Sequence, residues 1–136
     1  MEVKTVKLSD LIKSEEISMT YRASDRNPHM EGRDHMDNWR VTLRCNRSRM
    51  TLYFSKGSGH NGEPPTTEEV LDCLASDAAG LLNTSSFEDW CAQYGYDTDS
   101  RKAEKIFKAV ESETERLRNL LGESLFETLL WNTERE

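Results

Sequence analysis

Residues 38–55 read NWRVTLRCNRSRMTLYFS. Two apolar–polar alternations flank a short polar break. In the first, Trp39, Val41, Leu43 and Cys45 fall on one side, and Arg40, Thr42, Arg44 and Asn46 on the other. In the second, Met50, Leu52 and Phe54 share a side, and Arg49, Thr51, Tyr53 and Ser55 take the opposite one. Side chains of a strand alternate across its pleat, so a period of two marks a sheet with one buried face. The break at Asn46, Arg47 and Ser48 is short and polar, and joins the two strands as an antiparallel hairpin.

Working outward, ISMTYRAS at 17–24 repeats the pattern, with Ile17, Met19, Tyr21 and Ala23 alternating with Ser18, Thr20, Arg22 and Ser24. This is a third, half-buried strand. The stretch DRNPHMEGRDHMDN that follows has Pro28, Gly32 and no apolar period, and reads as a loop of about a dozen residues. Upstream, Leu8, Leu11 and Ile12 recur at helical spacing behind Ser9 and Asp10, which predicts a short helix over about 7–15.

Downstream, KGSGHNGEPP interrupts the chain with three glycines and two prolines. Thr66 and Glu69 then form a capping box ahead of Val70, Leu71, Leu74, Ala78 and Leu81, predicting a helix over about 67–81. Ser85 with Glu88, or Ser86 with Asp89, caps a shorter helix that carries Phe87, Trp90, Cys91 and Tyr94 and stops at Gly95. Asp97 or Asp99 is the expected cap of a long helix with Ala103, Ile106, Phe107, Val110, Leu117, Leu120 and Leu121 on one stripe. Gly122 ends it, and Leu125, Phe126, Leu129 and Leu130 mark a final helix.

The order is α-β-β-β-α-α-α-α, an α+β fold. A three-stranded antiparallel sheet cannot bury its apolar side unaided, so helices must cover one face and leave the other open. At 136 residues the chain suits one domain, and no repeat or interdomain linker breaks it.

Charge is unevenly placed. Residues 1–62 hold 11 basic and 8 acidic side chains, and residues 63–136 hold 7 and 17, so the net runs from +3 to −10 within a total of −7. Such an asymmetry produces either two electrostatically distinct faces or simply an acidic, well-solvated helical surface. No apolar run reaches the length of a membrane span, and MEVKTVKLSD has no apolar segment of a secretory signal. Cys45, Cys73 and Cys91 are odd in number and widely spaced, which argues against a disulfide framework or a zinc ribbon. Each sits beside an apolar neighbour (Leu43, Leu74, Trp90), so all three are expected as buried, reduced thiols in a cytoplasmic protein.

The outward sheet face holds the leading candidates. Alternation brings Arg22, Arg40, Arg44 and Arg49 together with Thr20, Thr42, Thr51 and Tyr53 opposite the core. Guanidinium groups in that arrangement favour phosphates or carboxylates, and a tyrosine among them offers a ring for base stacking. Pairing with Asp25 or Asp37, or cover by the acidic helices, would instead neutralise the face.

Other motifs are weaker. Asp25, His29, Glu31, Asp34, His35 and Asp37 are metal-compatible residue types, yet HEXXH and HxH are both absent, and no metal or other cofactor is expected. SKGSGHNG lacks the order of a phosphate-binding P-loop, and His60 within it is expected to face solvent. Asp97-Thr98-Asp99 is not continued as a calcium loop. No nucleophile, base and orienting group can be assembled, so the reading is non-enzymatic. On the long helix, Glu104 and Lys108 form an i,i+4 pair, and Glu111, Glu113 and Glu115 line later turns as a solvated or nucleic-acid-mimicking surface.

From about 7 to 81 the element order resembles that of double-stranded RNA-binding domains. That family uses a lysine-rich helix start where this chain has the acidic TTEEVLD. The wording of NWRVTLRCNRSRMTLYFSKGSGH, PPTTEEVLDCLASDA and SFEDWCAQYGYDTDSRKAEKIF resembles a group of small proteins encoded by bacteriophages and prophages. The resemblance covers most of the chain from about residue 20. It implies a setting in the bacterial cytoplasm, where small phage accessory proteins bind and block host machines such as CRISPR effectors. The expected function is an anti-CRISPR-like inhibitor that docks a host defence complex through Arg22, Arg40, Arg44, Arg49 and Tyr53. The alternative is a nucleic-acid-binding module using the same basic face.

Overall fold

The computed structural model describes residues 5–24, 37–56 and 63–134. Its elements run β1 (Val6–Lys7), α1 (Leu8–Ser14), β2 (Ser18–Ser24), β3 (Asp37–Cys45), β4 (Ser48–Lys56), α2 (Thr67–Leu82), α3 (Phe87–Tyr94), α4 (Arg101–Leu121), α5 (Glu123–Trp131) and β5 (Thr133–Glu134). The fold is α+β, with the expected three-stranded antiparallel sheet in the order β2-β3-β4. Asn46 opens the β3–β4 turn at φ 54°, a left-handed conformation that its short polar side chain tolerates.

Register follows from the alternation. Trp39, Val41 and Leu43 of β3 face Phe54, Leu52 and Met50 of β4, and face Ala23, Tyr21 and Met19 of β2. Val41, Leu43, Cys45, Met50 and Leu52 are buried in a core completed by Leu8 and Leu11 of α1, Leu71 and Leu74 of α2, Leu117 and Leu120 of α4, and Phe126 and Leu129 of α5. All these helices lie on one side of the sheet. Burial of each such aliphatic side chain contributes about 1.5–3 kcal/mol, which is what holds the two layers together.

The 21-residue α4 serves two cores. Its second half joins the main core, and its first half places Ala103, Ile106 and Val110 against Trp90 and Cys91 of α3. Trp90 stacks on Tyr96 at 5.3 Å and meets Phe107 edge-on at 5.2 Å. Arg116 of α4 donates to the Thr51 carbonyl and anchors the helix across β4. At Gly122 (φ 84°) the chain turns into α5, where the Arg118 guanidinium lies 4.8 Å from the Phe126 ring centre and 3.4 Å from Glu123.

The Thr66–Glu69 capping box forms in both directions. Of the two alternatives for α3, Ser86 caps it by accepting from the Asp89 N–H, and Gly95 ends it at φ 74°. The cap of α4 is Ser100, which accepts from the Ala103 N–H. Asp97 and Asp99, the expected caps, lie too early: Asp97 accepts the Asp99 N–H in a local turn instead. The short parallel pairing of Val6 with Thr133 and Lys7 with Glu134 was not expected, because two-residue strands carry no period. Cys45 and Cys91 are buried as expected, and burial pushes both thiols up from their ordinary value. Cys73 is exposed. Its neighbour Leu74 is on the buried stripe of α2, and one residue along a helix turns the side chain away from that stripe. The expected inward set of β2 is also only partly realised: Tyr21 is half exposed and Ala23 exposed. No helix among the described residues is long and apolar enough to cross a membrane.

Lys56, at the end of β4, is buried and meets Glu69 at 3.0 Å, so one carboxylate both caps α2 and pairs a buried ammonium. Burial would raise the Glu69 carboxyl, but Lys56 and the Thr66 donors outweigh it and hold it below its ordinary value. This contribution is present above the ordinary carboxylate pKa and is lost as pH falls through the lowered folded value. Glu69→Ala is expected to cost about 1–2 kcal/mol in urea unfolding, since water screens the exposed side of the pair and keeps the loss below the ~3–5 kcal/mol of a fully buried one. Adding Lys56→Met should recover part of that loss, because the uncompensated ammonium is then gone.

Candidate functional site

The pleat sorts the outward side chains of the sheet into rows. Ser18, Arg44 and Arg49 form one, Thr20, Thr42 and Thr51 the next, and Arg22, Arg40 and Tyr53 the third. All five expected binding residues, Arg22, Arg40, Arg44, Arg49 and Tyr53, therefore share one face, in two rows separated by threonine hydroxyls. Arg40 and Arg44 are four residues apart on β3, which sets the rows about 13 Å apart along the strands. A fourth row, Ser24, Asn38 and Ser55, bounds the site: Asn38 is buried and accepts from the Ser55 hydroxyl at 2.6 Å.

Register sets Arg22 directly beside Arg40, and Arg44 beside Arg49. Like charges opposite each other in a sheet are destabilising. In each pair one arginine turns to a polar neighbour. Arg40 donates to the Tyr53 hydroxyl at 3.2 Å with its guanidinium 5.4 Å from the ring centre, and Arg44 donates to Thr20 at 3.1 Å. Thr42 and Thr51 bond each other at 3.1 Å. Arg22 and Arg49 have no hydrogen-bond or ion-pair partner among the described residues. Among the carboxylates whose side chains are described, none lies within ion-pair distance of any of the four arginines; the expected pairing with Asp25 or Asp37 falls on side chains outside that set.

Between these side chains lies a shallow hollow of about 370 Å³, lined by Thr20, Arg22, Arg40, Thr42, Arg49 and Thr51 together with Tyr21. Its two uncommitted guanidinium groups enter from opposite rows over a floor of hydroxyls. Each carries five N–H donors in a planar fork that matches the paired oxygens of a carboxylate or phosphate. The arrangement offers forked N–H donors and hydroxyls of the kind that suit an oxyanion. The Tyr53 hydroxyl accepts from Arg40, whose guanidinium lies 5.4 Å from the ring centre.

The helices carrying the acidic surplus pack behind the sheet, which leaves the arginine face uncovered by them. The expected Glu104–Lys108 pair forms at 2.9 Å on α4. Of the loop candidates, Asp25, His29, Glu31, Asp34 and His35 lie outside the described residues, as do His60 and most of SKGSGHNG; Asp37 opens β3. Among the described residues no three His, Cys, Asp or Glu side chains converge on a metal position. A second concavity of about 450 Å³, between α1, α2 and β5, is lined by Glu68, Glu69, Asp72 and Glu134 with Lys7 and Ser9. Glu69 is already held by Lys56 and Thr66 there.

Compared with known proteins, the chain matches no family model, no curated protein sequence and no solved structure. Two features of the site were not legible in the sequence. Periodicity puts four arginines on one face but does not separate Arg22 and Arg49 from the two with internal partners. Glu113, expected on a solvated helix surface with Glu111 and Glu115, is instead partly buried, because its setting comes from α2, 36 residues away. Burial against that helix, then repulsion from Asp77, raises the Glu113 carboxyl to about 7, with Arg116 opposing the shift.

The folded protein thus binds a proton at Glu113 that the unfolded chain releases near 4.5. The stability this residue contributes is full below that value and declines as pH rises towards about 7. Glu113→Gln should remove the decline. Melting temperatures of variant and wild type, compared from pH 5 to 8, are expected to converge at the acid end and favour the variant increasingly at the alkaline end.

Proposed function

We propose that this chain is a non-enzymatic, phage-derived inhibitor that docks a carboxylate-rich surface of a host defence complex, in the manner of an anti-CRISPR. The supporting observation is the open sheet face, where Arg22 and Arg49 flank a hydroxyl-floored hollow with no carboxylate partner among the described residues. Placing like charges on adjacent strands works against folding, and an acidic partner offsets that repulsion. The net charge of −7 opposes non-specific attraction to nucleic acid, and the Arg40 guanidinium near Tyr53 competes for the ring that base stacking would use. An acidic protein surface suits the forked donors without needing that ring. The resemblance of the sequence to small phage-encoded proteins supplies the setting.

The test is capture of the tagged protein's partners from bacterial host lysate, with and without nuclease, at moderate salt. One stoichiometric protein complex recovered in both samples supports the proposal. Recovery of nucleic acid, with proteins lost after nuclease, would replace it with direct nucleic-acid binding by the same face. Arg22→Glu with Arg49→Glu is expected to weaken capture at least tenfold. The melting temperature should stay within a few degrees, because neither side chain has an internal partner and exposed substitutions cost about 0.5 kcal/mol or less. Undiminished capture by that double variant would exclude the arginine face as the docking surface.

A further inference from the structure

The helical layer is narrower than the sheet it covers. α4 passes beneath β4 and β3, and the side chains of β2 that point the same way are left in solvent: Tyr21 is 50% exposed, Ala23 is exposed and Met19 only half-buried. β2 is also an edge strand, paired with β3 alone among the described residues. Exposed edges invite pairing with another chain, and proteins usually guard them with proline, a bulge or an inward-pointing charge. Residues Ser18–Ser24 contain no proline, and their register with β3 is unbroken from Ser18 to Ser24. The one charge, Arg22, points to the open face.

We propose that a second copy of this chain pairs antiparallel with β2 across a two-fold axis through Tyr21, joining two sheets into one of six strands. The residues of β2 are self-complementary in that register. Met19 faces Ala23 of the second copy, Tyr21 faces Tyr21, Thr20 faces Arg22, and Ser18 faces Ser24. Apolar side chains meet only apolar ones, on the inner side, and polar ones meet only polar ones, on the open side. A centre at Tyr21 pairs the whole seven-residue strand. A centre at Thr20 loses the last two residues, and a centre at Arg22 sets guanidinium against guanidinium, which like-charge repulsion disfavours. Tyr21 already packs edge-on against Trp39 at 5.7 Å. Pairing extends this into a row of four aromatic rings across the seam.

The axis is perpendicular to the sheet, so both arginine faces lie on the same side of the assembly. The nearest guanidinium groups across the seam are the two Arg22 side chains, which are diagonal neighbours about 7–8 Å apart at the backbone and not direct partners. This inference does not depend on the identity of the docking partner. It concerns mass and register, which are read without any partner present.

The experiment is light scattering coupled to gel filtration over a concentration series, with cysteine cross-linking to fix the register. Wild type is expected to approach twice the monomer mass, and Tyr21→Glu, which sets two carboxylates opposite each other on the axis, to remain at the monomer mass. In a Cys73→Ser background, Tyr21→Cys should oxidise to a single disulfide-linked dimer, because directly opposed Cβ atoms lie about 4.5–5.5 Å apart. Thr20→Cys should not, since it faces Arg22. Monomeric wild type at every concentration would overturn the proposal, as would cross-linking of Thr20→Cys as efficient as that of Tyr21→Cys. The wild-type mass and the two cysteine variants decide the question even where Tyr21→Glu proves unstable.

Discussion

One constraint governs this structure: a sheet only three strands wide must keep Val41, Leu43, Met50 and Leu52 from water on a single side. The other sheet among the described residues, the two-residue pairing of β1 with β5, is too short to sandwich them, so the helices have to close that side. α4 carries the largest share. Its amphipathic stripe is long enough to bury Leu117 and Leu120 against the sheet and Ala103, Ile106 and Val110 against α3. Arg116 fixes its position over β4 through a backbone carbonyl, and the Lys56–Glu69 pair fixes the start of α2 at the end of the same strand. The placement of the helices is thus tied to β4 at two points, one neutral acceptor and one ion pair, and β2 is left as the overhanging edge.

The same one-sidedness creates the basic face. Because the helices are used up on the inner side, the outward positions of β2, β3 and β4 other than the buried Asn38 are free to be chosen for something other than packing. Four of those positions are arginine. Two of them relieve the repulsion between neighbours by turning to Tyr53 and Thr20, and the other two extend over the threonine floor. A surface arranged only for solubility would intersperse both signs of charge. Concentrating one sign on this face, in a chain whose net charge has the opposite sign, separates a basic front from an acidic back, and under the proposed function that separation would orient approach to an acidic surface before contact.

Much of this was legible from residues 38–55 alone. Alternation in NWRVTLRC and RMTLYFS assigned both faces correctly, since register in a sheet with one buried side is fixed by its hydrophobic pattern. The capping box at Thr66 and the stop at Gly95 were legible for a similar reason, as local hydrogen bonding and backbone freedom decide them. What could not be read came from contacts distant in sequence. Cys73 looked buried because Leu74 is apolar, but the helix turns the two apart. Tyr21 looked buried by its period, but the width of the helical layer, which no strand encodes, leaves it exposed. β1 and β5 find each other only because the described segment starts and finishes on the same side of the core. The raised Glu113 carboxyl needs Asp77 from another helix.

The pleat therefore divides two tasks residue by residue. Odd positions 41 and 43 of β3 hold the layers together, and even positions 40, 42 and 44 carry the open face that we propose meets a partner. Changes on the outward side leave the core contacts untouched, so binding can vary without unfolding the chain. The edge adds a further degree of freedom. Association through β2 keeps the pleat in phase, so two copies joined there present eight arginines on one plane while their acidic helices remain together on the other. A partner with an extended acidic surface would then be engaged at two sites at once, and the second contact forms at the effective concentration set by the rigid seam. Under that arrangement modest affinity at each hollow suffices for tight overall binding, and neither face of the molecule needs further elaboration.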